Sequence, residues 1–252
     1  LEPWLGKLPY DLGPWRVAGQ LSGTQGDLSL HKLVLEAGTP GALEIDATGA
    51  VGRISTGRGQ EKTIAADNID LDMRAHVADS AQLNALLGRD DIPLHHELTA
   101  AFTVKGSAEE LQLSAGQLAI TASDLGVKIG PLSGVVHPGK KFRLSALAAP
   151  VLIDISDTAA LSQYSHLPMP VLGPVKIKAR LAQQVNAFQL LDITAAIGEG
   201  KPVAEVTGSI GNLATLSDAS FSGKINSVDT GALLATLVPG FSYRASLGGL
   251  GG

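Results

Sequence analysis

Three stretches of this sequence carry residue types that do chemistry when suitably placed. The first is "GVVHPGKK", Gly134 to Lys141. Its two glycines and Lys140 sit where a phosphate-binding loop needs them, with backbone N–H groups and an ammonium to cradle phosphate oxygens. Lys141 stands where that loop requires a Ser or Thr to hold magnesium. The following "FRLSAL" alternates like a strand and does not open a helix, so the phosphate reading fails twice. The second stretch is His95-His96-Glu97, the one cluster of histidines. Adjacent strand residues point to opposite faces, so the two imidazoles are badly placed to share one ion. A solvated loop end is the simpler expectation. The third is "DNIDLD", which puts Asp70 and Asp72 on one strand face with Arg74. It lacks the ligand spacing of a calcium loop and reads as a polar outer face.

The remaining motifs are weaker. "GTQG", "GTPG" and "GRG" are loop glycines with no helix after them, and no Gly-x-Ser-x-Gly elbow is present. There is no Cys, so no disulfide, thiol nucleophile or thiolate metal site exists. No nucleophile is placed beside a base. The reading is a protein that is not an enzyme, with no catalytic residue, no metal and no cofactor. The net charge of −5 is mild and forms no basic stripe, which excludes a nucleic-acid partner.

What must position such residues is a β framework. Charged residues make up 17%, against about 25% in ordinary domains. Mean hydropathy is +0.20, yet no run approaches the roughly 20 apolar residues of a membrane span. The excess apolar character is therefore spread over many short segments. Between landmarks the hydrophobic period is two. "DLSLHKLVLEAG" places Leu28, Leu30, Leu33 and Leu35; "ELQLSAGQLAITAS" places Leu111, Leu113, Leu118 and Ile120; "AFQLLDITAAIG" places Phe188, Leu190 and Ile193. Alternation gives each strand one apolar and one polar face. The parity breaks in mid-segment by +3, +5 and +3. Hairpin tips at His31-Lys32, at Ser114 to Gln117 and at Leu191-Asp192 account for it, a β-bulge being the alternative for the last.

The sequence also repeats. Asp79-Ser80-Ala81-Gln82-Leu83, Asp157-Thr158-Ala159-Ala160-Leu161 and Asp229-Thr230-Gly231-Ala232-Leu233 share one pattern, and Pro93, Pro168 and Pro239 follow. Asp or Ser/Thr before an Ala-rich apolar run is a helix-start signal, so short helical turns are expected near 80–88, 158–165 and 230–237. "LGPW" from Leu12 matches "LGPV" from Leu172, and Gly49, Gly134 and Gly208 sit in three similar passages. Two series in register imply a repeat of roughly 75 to 85 residues. The strands "NIDLDMRAHV", "KFRLSALAAPVLIDI" and "SFSGKINSV" close successive units before each connector. Two and a half to three units follow, at about 11–92, 93–170 and 171–252. Trp4 to Tyr10 reads as the tail of an earlier connector and "FSYRASLGGLGG" as the start of a further strand, so the chain is expected to be a piece of a longer array.

The Asp-Ser/Thr-Ala-x-Leu starts, "LPMPVLGPVKIKARL" at Leu167 to Leu181, the "LSLHKLVLEAG" segment and "EVTGSIGNL" at Glu205 to Leu213 together resemble the AsmA and TamB superfamily of bacterial envelope proteins. The likeness is to the C-terminal AsmA-like region of that superfamily. It implies a mainly β fold: an elongated, twisted antiparallel sheet forming a gutter with an apolar concave side, and short helices between repeats. It further implies that the protein binds phospholipid acyl chains and lets them move between inner and outer membrane, in the bacterial periplasm, on an inner-membrane anchor outside this sequence. The groove candidates are then Leu28, Leu30, Leu33, Leu35, Leu111, Leu113, Leu118, Ile120, Phe188, Leu190 and Ile193, each of which is equally compatible with an ordinary core position. The competing expectation is a structural role: an envelope factor that offers strand edges to maturing outer-membrane proteins.

Overall fold

In the computed structural model the described residues are 13–24, 27–56, 64–79, 96–138, 143–161, 171–184, 187–200, 202–215 and 217–225. They form twelve strands: β1 (Trp15–Thr24), β2 (Asp27–Thr39), β3 (Leu43–Thr56), β4 (Ile64–Val77), β5 (Glu97–Gly106), β6 (Leu111–Thr121), β7 (Leu125–His137), β8 (Arg143–Ile155), β9 (Val175–Gln184), β10 (Ala187–Ile197), β11 (Ala204–Asn212) and β12 (Ser217–Ile225). These strands make a single sheet in sequence order, with every neighbouring pair antiparallel. The sheet is not closed, since β1 and β12 are its two edges. Among the described residues, strands pack against their sequence neighbours and no second layer covers the sheet.

The expected hairpin tips are not tips. His31-Lys32, Ser114 to Gln117 and Leu191-Asp192 lie inside the continuous strands β2, β6 and β10. The parity break is a β-bulge in each case, as the alternative for the last site allowed. Lys32, Ala115 and Asp192 adopt φ of 50°, 52° and 54°, and the register slips beside each of them. One residue in the left-handed region adds a member to its strand without a partner, so Leu30 and Leu33 emerge on the same side although three apart. A two-residue turn demands positive φ at central positions that favour Gly or Asn. His31-Lys32 has neither, which is why the chain bulges there and runs on.

The left-handed residues recur. Asn68, Ala146 and Asp218, with φ of 52°, 53° and 55°, lie in β4, β8 and β12. Every even-numbered strand thus carries one of them. The matched "LGP" passages are also alike in structure. Gly13 and Gly173 have φ of 77° and 93°, and the carbonyl of the following proline accepts a hydrogen bond in both: Gly38 N–H donates to Pro14 O at 2.9 Å, and Gly198 N–H to Pro174 O at 2.8 Å. The offsets agree, with 173 − 13, 198 − 38 and 192 − 32 all equal to 160. Gly49, Gly134 and Gly208 stand in β3, β7 and β11, the odd strand before each closing strand. A Cβ at any of the three would strike the following strand: the backbone of Asp70, the Leu147 side chain, or Ser220 O and the Phe221 ring.

The middle connector begins as its sequence suggests. A single 3-10 turn, Thr158–Leu161, is capped by Asp157, whose Oδ1 accepts the Ala159 N–H at 2.7 Å. Thr158 is buried at 1% exposure; its N–H donates to Gly173 O at 3.0 Å and its Oγ1 accepts the Leu172 N–H at 2.7 Å. That hydroxyl ties the turn to the strand entry that follows. The remainder of 158–165 lies outside the described residues. So do the turns expected at 80–88 and 230–237, the passage Trp4 to Tyr10 and the segment from Phe241.

Candidate functional site

Directly paired residues on antiparallel strands project to the same side of the sheet. The register therefore sorts every strand residue onto one of two sides. One row runs unbroken from β2 to β12: Thr39, Leu43, Val77, Leu98, Ile120, Val127, Ile153, Ile177, Ala195, Val206, Gly223. The row beside it on the same side begins at the β1 edge and passes Trp15, Ala37, Ile45, Ala75, Ala100, Leu118, Ile129, Val151 and Ala179. Between these two rows, on the other side, lie Glu44, His76, Thr99, Ala119, Lys128, Leu152, Lys178, Thr194, Thr207 and Ser222.

All the sequence-derived groove candidates fall on the side of Leu43 and Val77. Leu33 and Leu35 pair with Gly49 and Ala47, and Leu28 and Leu30 with Ile54 and Val51. Leu111, Leu113, Leu118 and Ile120 pair with Gly106, Val104, Ala100 and Leu98. Leu190 pairs with Leu181, Phe188 with Gln183, and Ile193 with Gly208. The bulges make this possible, because without the extra residue in β2, β6 and β10 half of each leucine set would face the opposite way. Ile193 is buried, Phe188 is 39% exposed, and the others are half-buried. A second packed layer would bury them; among the described residues only the lateral neighbours shield them.

Among the described residues the buried apolar side chains, Ala47, Val77, Val104, Leu147, Ala149, Val151, Ile155, Val175, Ile193 and Ala204, all lie on this same side. No apolar side chain among the described residues falls below 2% exposure. Alanine has no reach, so it reports the crowding around its own Cβ. Ala149 is 3% exposed, while Ala148, next to it and facing the other way, is half-exposed.

The opposite side holds the charges. Lys105 Nζ donates to Asp70 Oδ2 at 2.8 Å, Thr103 Oγ1 to Asp72 Oδ1 at 2.7 Å, and Arg180 reaches Asp192 at 3.0 Å. Asp70 raises the Lys105 pKa, first through that hydrogen bond and then through its charge. Asp70 and Asp72 thus serve as partners in cross-strand ladders. His76 Nε2 and Glu97 Oε1 are 3.1 Å apart. His96 is buried at 9% exposure, so this end of β5 is not the solvated loop expected; His95 lies outside the described residues. Two shallow hollows of about 630 and 720 Å³ lie over this side, lined by Asp46, Arg74, Gln117 and Lys128 among others. No group of three or more His, Asp or Glu suited to a metal occurs among the described residues.

Sequence reasoning missed Gln183, a polar residue in the row of Leu181 and Phe188. β8 and β9 pair only from Ala148–Ala182 onward, so the carbonyl of Leu144, beyond the Ala146 bulge, has no strand partner in β9. Gln183 Nε2 donates to that carbonyl at 2.7 Å. At the matching β4–β5 seam the equivalent carbonyl of Ala66 is met by the Ala108 N–H at 2.7 Å. The glutamine thus replaces a backbone donor, and its own Oε1 is buried without a partner. A lone polar residue in an otherwise apolar alternation was the signal. Comparison with family models, curated proteins and solved structures finds no match to this chain.

Proposed function

We propose that this protein binds phospholipid acyl chains along an apolar groove and conducts them between the inner and outer membranes of a bacterial envelope, without catalysis. The observation that carries the reading is the uncovered row system: apolar residues continuous across nine strands of an open sheet, from Leu43 in β3 to Val206 in β11, with nothing packed on them among the described residues. Such an uncovered strip is what an elongated apolar ligand needs. Burial confined to that side supports an inward curve there, so the sheet is a gutter whose concave side is apolar. A twisted sheet curves in opposite senses along its two diagonals, which accommodates the hollows on the polar side. The matched Gly49, Gly134 and Gly208, four strands apart in β3, β7 and β11, support three units of four strands, β1–β4, β5–β8 and β9–β12, joined by connectors with short helical turns. The likeness to the AsmA and TamB superfamily in the sequence supplies the periplasmic setting, the inner-membrane anchor and the phospholipid.

Native purification followed by solvent extraction and mass spectrometry tests this. Diacyl lipid in stoichiometric amount is the expected result. A lipid-free protein that also fails to take up phospholipid from vesicles would overturn the proposal.

A further inference from the structure

The charges on the polar side are sorted by strand. Glu36 in β2 and Glu44 and Asp46 in β3 share this side with Asp70 and Asp72 in β4. Five strands further on, Lys128 in β7 and Lys178 in β9 are the direct cross-strand neighbours of Leu152 in β8, which is 42% exposed, and Lys176 and Arg180 flank Lys178. Elsewhere on this side opposite charges meet within the chain, as Lys105 does with Asp70 and Arg180 with Asp192. Glu36, Glu44, Asp46, Lys128, Lys176 and Lys178 make no ion pair among the described residues. All are exposed except Glu44, which is half-buried. Glu44 and Lys178 lie in one row, in β3 and β9. Six strand spacings of about 4.8 Å put them about 29 Å apart. The Debye length is about 10 Å at 0.1 M salt, so neither end neutralises the other. Arg74 and Asp154 are the minority charges of the two ends.

We propose that the polar sides of two copies pack face to face about a two-fold axis running along β6. That rotation sets β3 of one copy over β9 of the other and β5 over β7, row upon row. Glu44 then faces Lys178, Asp46 faces Arg180, Thr99 faces Lys128 and His76 faces Leu152, each contact being made twice. Ala119 lies on the axis, and Ala101 and Gly130 line the same hollow, so small residues leave room there for the long side chains of the second copy. Arg74 faces Pro150 and Asp154 faces the end of β4, so neither minority charge meets its like. One face carries both complements, which is what a self-complementary two-fold contact requires. A uniformly anionic partner would fit the lysines and be repelled by the acidic end. The apolar sides remain outward. Exposed ion pairs contribute little each, so the association is weak, reversible and sensitive to salt. This inference does not rest on the ligand proposed above.

Charge exchange tests this. Sedimentation of the whole 252-residue chain at low salt is expected to show a reversible dimer that added sodium chloride dissociates. Lys178→Glu alone, or Glu44→Lys alone, sets like charges together twice and should weaken the dimer by about 3- to 30-fold. An equimolar mixture of the two variant chains pairs opposite charges again, as does the double variant, and both should recover close to the parent affinity. Glu44 also accepts the Gly41 N–H at 2.6 Å. Asp46→Lys, at a side chain without a hydrogen bond among the described residues, should weaken the dimer as Glu44→Lys does and separates the two effects. A chain that stays monomeric at every concentration, in parent and double variant alike, overturns the proposal. So does an association that the single variants leave unchanged, or one that neither the mixture nor the double variant restores. Binding to phosphatidylglycerol vesicles that is lost in Lys178→Glu and kept in Glu44→Lys, without self-association, also overturns it and assigns the lysines to a membrane surface.

Discussion

Leu113→Glu separates an uncovered sheet from a closed core. Leu113 is half-buried in mid-β6, between Val104 on one side and Gly134 on the other. The glycine leaves one flank without a side chain, and no second layer lies over the position among the described residues. Removing the leucine forfeits part of the roughly 1.5–3 kcal/mol that full burial would provide, so about 1 kcal/mol is lost. A glutamate here swings its carboxylate into water, so little desolvation is added. The expected destabilisation is about 1–2 kcal/mol, which a domain of about 5–15 kcal/mol survives. In a closed sandwich the same carboxylate would lack both water and a partner and cost several kcal/mol more. Urea unfolding followed by far-ultraviolet circular dichroism measures the difference. The folded variant should also retain far less lipid, because acyl chains then meet a charge in their path. Outright unfolding would refute the uncovered sheet at this position, and undiminished lipid retention would refute the path.

Four further outcomes follow from named residues. Ala115→Gly should stabilise by up to about 1 kcal/mol in urea unfolding, since glycine relieves about 1–2 kcal/mol of left-handed strain at the cost of backbone entropy; Ala119→Gly, at an ordinary strand position, should instead lose about 0.5–1 kcal/mol. Gln183→Met strands the Leu144 carbonyl and should cost about 1–2 kcal/mol by thermal or chemical denaturation, whereas Gln184→Met at the exposed neighbour should be near neutral. Gly208→Val would drive a side chain into Ser220 O and the Phe221 ring, and hydrogen exchange should show β12 released from β11. Gln112→Glu, on the exposed side of β6, should change stability by no more than about 0.5 kcal/mol.

Much of the sheet was legible because alternation is a local signal. The closing strands β4, β8 and β12 fall on the segments read as strands, and every groove candidate shares one side. The Asp157 cap and the paired Gly-Pro steps were legible too, since capping and strand-entry chemistry depend on few residues. What escaped was the length of β2, β6 and β10. A bulge and a tight turn both break parity, and Lys32, Ala115 and Asp192 carry no glycine to announce a left-handed backbone. The lack of Gly or Asn at His31-Lys32 already argued against a two-residue turn. Gln183 escaped because its role depends on where β8 and β9 part company, a fact of register that composition does not hold.

The central claim concerns one side of the sheet, and side-specific photo-crosslinking in cells tests it most directly. A photoreactive amino acid placed singly at Leu113 or Leu118 should capture phospholipid on irradiation, while the same probe at Gln112 or Gln117, one residue away on the opposite side, should not. Equal capture at both sets of positions, or capture confined to the glutamine positions, would contradict the account.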